Sequence, residues 1–170
     1  DMREFVQRVY PDSLPFREDM RYGPADVEVL REMMWDSRQR ASWPMIVTVL
    51  GIIGDVQTAS DLIAFIQTGR GTRVNGNEYH SVGAAIVALG YLAERTGSPQ
   101  ALRFLGDAMY PEFWKSRSRM RWISRAVPTE SARNQQLSNF AAMGLALSGR
   151  SEAAGLLRSR WEALKNRRAR

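Results

Sequence analysis

The sequence predicts an all-α fold, a right-handed α-solenoid of about three to four helical hairpins, from three observations. A similar stretch recurs three times, each copy bends at a glycine, and a residue able to start a new helix follows each bend. The copies are IVTVLGIIGDVQTASDLIAFI (residues 46–66), AIVALGYLAERTGSPQALRFL (85–105) and FAAMGLALSGRSEAAGLL (140–157).

Each copy runs through small and apolar residues to Leu50-Gly51, Leu89-Gly90 or Met143-Gly144, then to a glycine corner at Gly54, Gly97 or Gly149. A glycine tolerates left-handed backbone where the first helix must stop. Asp55, Ser98 and Ser151 are placed to cap the second helix by accepting an unpaired backbone N–H, and Pro99 suits its first position. The glycine before the corner and the alanine after it (Ala59, Ala101, Ala154) lack bulk, which lets the two antiparallel helices of a hairpin approach closely.

These residues resemble the HEAT-repeat family, in particular its short bacterial type named after phycobilisome lyases. Leu50, Gly51, Gly54, Asp55, Ala59 and Leu62 carry the resemblance, with Leu89, Gly90, Gly97, Ser98 and Ala101, and with Met143, Gly144, Gly149, Ser151 and Ala154. It covers roughly residues 25–165. Gly51 and Gly90 stand 39 apart, close to the family period of ~40–47, whereas Gly90 and Gly144 stand 54 apart, which marks an insertion. The resemblance implies a non-catalytic protein-binding module or assembly scaffold, with an extended concave surface made largely by the second helix of each pair.

The rest of the chain divides around these units. Residues 1–23 read as an N-terminal strap, with a short helix near Phe5, Val6 and Val9. Residues 24–170 form the repeat domain. Pro24 starts a helix with Val27, Leu30 and Met34 on one face and Trp35 near its end, the second helix of a degenerate first repeat. The glycine- and asparagine-rich stretch 69–82 is a contact loop or a tolerated surface insertion. Residues 110–130 form a second insertion in which Lys115, Arg117, Arg119, Arg121 and Arg125 alternate with Phe113, Trp114, Met120 and Trp122. It reads either as a binding element or as an extra helix with Phe113, Trp114, Met120 and Ile123 in the core. The last helix carries Ala154, Leu157, Trp161 and Leu164 on one face and a basic end.

Charge is unevenly placed. Residues 1–114 hold 11 basic and 15 acidic side chains, net −4, whereas residues 115–170 hold 13 and 3, net +10. Such asymmetry suits an anionic partner, whether acidic protein, nucleic acid or membrane surface, and an arginine-rich genome composition is the plain alternative. Trp and Arg side by side suit a protein interface equally, since both are enriched among hot spots, and acidic protein is favoured because no sequence-reading helix or RNA-binding signature accompanies them. Base stacking on aromatics between cations is the nucleic-acid reading. The expected contact residues are Arg103, Arg117, Arg119, Arg121, Trp122, Arg158 and Arg160, with no cofactor or metal.

Catalytic patterns are missing from the sequence: no phosphate-cradling glycine loop with Lys-Ser or Lys-Thr, no His-Glu-x-x-His and no Gly-x-Ser-x-Gly. His80 is the single histidine, which rules out two-histidine metal sites, and without cysteine there is no thiolate chemistry or disulfide. HEAT-like alkyl-purine DNA glycosylases supply the enzyme alternative, with Trp35, Trp43, Trp114 and Asp107 as the residues available for it. The apolar run 43–54 is too short to cross a bilayer. The chain opens at Asp1 without a charged-then-apolar leader, which reads as a trimmed or processed form, and export is slightly favoured over the cytoplasm.

Overall fold

Helices account for all the regular structure among the described residues, and no strand occurs there. The structure, a computed structural model, describes residues 1–8, 22–68, 76–115 and 127–168. In chain order the helices are α1 (Met2–Gln7), α2 (Pro24–Trp35), a 3-10 helix (Ser37–Ser42), α3 (Trp43–Ile53), α4 (Thr58–Thr68), α5 (Gly76–Thr96), α6 (Pro99–Ala108), α7 (Pro111–Lys115), α8 (Glu130–Leu147) and α9 (Ser151–Arg168).

The starts follow local chemistry. Prolines open or nearly open α2, α3 and α6, where the missing N–H costs no helical bond. Ser98 Oγ accepts from the Ala101 N–H at 3.2 Å, and Thr129 does the same for Ala132 at 3.1 Å. Asp55 and Thr58 cap each other. Asp55 Oδ1 accepts from the Thr58 N–H at 3.0 Å, while the Asp55 N–H donates to Thr58 Oγ1 at 3.1 Å. All three expected corners lie between helices. Gly97 and Gly149 have φ of +66° and +59°, the left-handed region that suits glycine. Gly54 differs, with φ of −63°. It is glycine for lack of space, since a Cβ there would meet the Leu50 carbonyl and lie 2.5 Å from Thr58 Oγ1.

The third unit departs from the expected register. Its second helix begins at Ser151, so Arg150 rather than Ser151 holds the position of Ser98. Ala153, not Ala154, is therefore the buried counterpart of Ala101. The slip rotates the apolar stripe of α9 outward: Ala154 is exposed, Trp161 is 61% exposed and Leu164 42%.

Packing centres on α5, which touches α3 and α8 on two sides and α4 and α6 on another. Its Val82, Ala85, Ile86, Ala88, Leu89 and Leu92 are buried. Contacts Arg40 to Glu78, Gly51 to Ala88 and Ile52 to Arg95 advance together, so α3 and α5 run parallel. Tyr79 to Gln136, Gly83 to Phe140 and Gly90 to Gly144 do the same for α5 and α8. The intervening helices also meet one another: α4 touches α6, and α6 touches α9.

This arrangement changes the expected role of the small residues. A Cβ on Gly51 would lie 2.7 Å from the Ala88 Cβ, and one on Gly90 would lie 2.6 Å from the Gly144 Cα and meet its carbonyl. The glycines thus admit the parallel helix of the next unit rather than the antiparallel partner within their own hairpin. The two helices of the first hairpin, α3 and α4, touch less closely than α3 and α5.

The amino-terminal segment joins the core through Met2, Phe5 and Val6, which α1 presses against α2 and α3. Val9 and residues 10–21 lie outside the described residues. In the 110–130 segment, Phe113 and Trp114 pack edge to face with each other and with Phe104 of α6, and the Trp114 indole N–H donates to the Ala108 carbonyl at 2.8 Å. Those two insertion aromatics therefore belong to the core side of the earlier alternative.

Candidate functional site

The expected contact residues fall into three groups. Arg103 on α6 and Arg158 on α9 are exposed, with no hydrogen bond or ion pair to another described residue. Arg160, on the same helix, is bound to α8. Its Nη2 donates to Asn139 Oδ1 at 3.0 Å and its Nη1 to the Ser138 carbonyl at 3.4 Å. Burial lowers the pKa of that guanidinium, with Tyr110 opposing the shift, and an arginine still keeps its charge. Arg160 thus fastens the last two helices to each other. Arg117, Arg119, Arg121 and Trp122 lie outside the described residues.

The terminal hairpin exposes most of the large apolar side chains that reach solvent among the described residues. Trp161 follows Arg158 by three positions and Lys165 by four in the other direction, so one helical face carries cation, indole and cation. Met143 and Leu147 on α8 are 51% and 38% exposed. The corresponding positions before Gly51 and Gly90, Leu50 and Leu89, are fully buried. The last unit therefore shows solvent a surface that its predecessors bury.

Three arginines that sequence reasoning passed over do structural work at the corners. Arg31 on α2 donates from Nε to Asp61 Oδ2 and from Nη2 to Asp55 Oδ1, each at 2.7 Å, and also engages Glu28. Burial pulls the Arg31 pKa down, but these carboxylates outweigh it and the net shift is upward. For Asp55, burial pushes the carboxyl up, and the Thr58 hydrogen bonds with the Arg31 charge hold it below its ordinary value. Arg95 Nε donates to the Ile52 carbonyl at 2.9 Å, and Arg150 reaches the end of α5 in the same manner. The available signal was position, because Arg95 and Arg150 stand within two residues of Gly97 and Gly149.

The residues available for a glycosylase-like site do not share a surface. Trp43 is buried with its indole N–H donating to the Met33 carbonyl at 3.3 Å, and Trp114 is the core residue described above. Asp107 is exposed, and Trp35 sits at the rim with its ring 5.9 Å from that of Phe65. His80 is exposed on α5. Among the described residues no helix is long and apolar enough to cross a membrane. No protein-family model matches this chain, nor does any curated protein or solved structure.

Proposed function

We propose that the protein is a non-catalytic binding scaffold, a HEAT-like α-solenoid that docks a protein with an acidic surface. The solenoid reading is supported by parallel α3, α5 and α8 meeting in sequence while α4, α6 and α9 meet alongside them. The observation that carries the docking role is the exposed Trp161 between Arg158 and Lys165 on α9. Tryptophan and arginine dominate the energetics of protein interfaces, and a large indole held in water gains most from being covered. Arg103 on the adjoining α6 extends the cationic surface.

Capture from an extract of the source cells, read by mass spectrometry, tests this. The double variant Arg103→Glu/Arg158→Glu and the single variant Trp161→Ala are each expected to lose the captured protein with helix content unchanged. Capture undiminished in both would place the contact elsewhere. Retention on nucleic acid at ~50 mM salt that vanishes by ~200 mM would instead mark phosphate binding.

A further inference from the structure

A cleft of about 470 Å3 opens between α3, α5 and α8, and none of its lining comes from α4, α6 or α9. It therefore stands apart from the α6–α9 surface and does not depend on the docking proposal. Its floor is a stripe of α5 at helical spacing, Tyr79, Gly83, Val87 and Tyr91. At 1.5 Å per residue the stripe spans about 18 Å, so the cleft is long for its volume. Thr48 of α3 forms one wall and Phe140 of α8 the other. The Phe140 ring edge lies over Gly83, where a Cβ would come within 2.9 Å of Cε2.

Polar chemistry gathers at one end. The Tyr79 hydroxyl donates to Gln136 Oε1 at 2.5 Å, which fixes the amide and leaves the Gln136 N–H groups for another acceptor. No Asp, Glu, Lys or Arg lines the cleft among the described residues, although 25% of the chain is charged. His80 also lines the cleft and the charge of Arg133 is felt at Tyr79, but the described lining offers an ionised ligand no carboxylate, ammonium or guanidinium in return for the water it loses. The volume falls within the ~300–1,000 Å3 of small-molecule sites, which combine apolar walls with a few polar groups.

We propose that this cleft binds an uncharged, elongated and mainly apolar small molecule. Two dyes with one ring skeleton test it: neutral N-phenyl-1-naphthylamine and its sulfonated analogue 8-anilino-1-naphthalenesulfonate. Fluorescence titration of the full chain is expected to give a single saturable site for the neutral dye, at least tenfold tighter than for the sulfonate. Val87→Trp, which fills the floor, and Gln136→Glu, which keeps the acceptor for Tyr79 but adds a charge, are each expected to weaken the neutral dye at least tenfold. Circular dichroism confirms that each variant is folded, and Trp161→Ser serves as the control that leaves binding unchanged. Equal affinity for the two dyes would overturn the proposal. So would neutral-dye binding that survives both cleft variants, or that disappears with Trp161→Ser.

Discussion

Arg150 donates from Nε to the carbonyl oxygen of Ala93 at 3.1 Å, and its Nη2 reaches the next carbonyl, Glu94, at 2.5 Å. The last carbonyls of a helix have no partner within it, and a cation there also meets the negative end of the helix dipole. One side chain from the third unit thereby caps the first helix of the second. Gly97 passes beneath it, with a Cβ there 3.5 Å from Arg150 Nη2.

Arg150→Met should therefore cost about 1–3 kcal/mol, the range for losing hydrogen bonds to a charged donor, while the Gly97 N–H keeps the Ala93 carbonyl paired. Arg150→Lys should recover only part of it, because an ammonium lacks the planar fork that bridges two carbonyls. Urea denaturation of the three proteins measures both.

Two glycines should respond to alanine with opposite signs. Gly90→Ala drives a methyl into the Gly144 backbone and should destabilise by about 1–3 kcal/mol or more. Gly155 lies inside α9 with nothing within 4 Å of a Cβ, so Gly155→Ala should stabilise by about 0.5–1 kcal/mol through helix propensity. Thermal melts of the pair decide the matter.

Tyr79 predicts an alkaline transition. Burial pushes its phenol up to about 12, with the charge of Arg133 pulling the other way. A folded pKa above the unfolded value of about 10 means stability that is complete below pH 10 and lost as pH rises towards 12. Tyr79→Phe should flatten that loss, which is at most about 2–3 kcal/mol, as read from stability measured across pH 9–12.

Asp55 predicts the reverse at acid pH. Its depressed pKa contributes stability that is present above the unfolded value of roughly 3.9 and fades as pH falls through the lower folded value. Arg31→Met should shrink this acid dependence, since it removes the charge that, with the Thr58 hydrogen bonds, holds Asp55 ionised. Denaturation midpoints between pH 2 and pH 6 provide the comparison, and an unchanged slope would assign the shift to Thr58 alone.

The repeat made the helices, the corners at Gly54, Gly97 and Gly149 and the caps at Asp55 and Ser98 legible, because each depends on residues within a few positions. The helix at Pro24 with buried Val27, Leu30 and Met34 was readable for the same reason. Contacts between units were not readable. Periodicity shows that Gly51 and Gly90 need space, but not that Ala88 and Gly144 occupy it. Likewise reading Ser151 as the cap hid the register of α9, and with it the exposure of Trp161, although Ala153 follows Gly149 by four positions as Ala101 follows Gly97. The structural roles of Arg31, Arg95, Arg150 and Arg160 were not readable, because the acceptors that fix them on other helices lie 21 to 57 positions away in the chain.

Side-by-side packing of α4 on α6 is tested most directly by paired cysteines, which the cysteine-free chain permits without background. Ser60 Oγ lies 3.1 Å from Gln100 Oε1 across that boundary. Ser60→Cys/Gln100→Cys should be bridged rapidly within one molecule by a short bis-thiosulfonate reagent, while Ser60→Cys/Gln135→Cys should not. A first pair that stays unbridged in folded protein, or a second that reacts equally fast, would contradict the stacked hairpins.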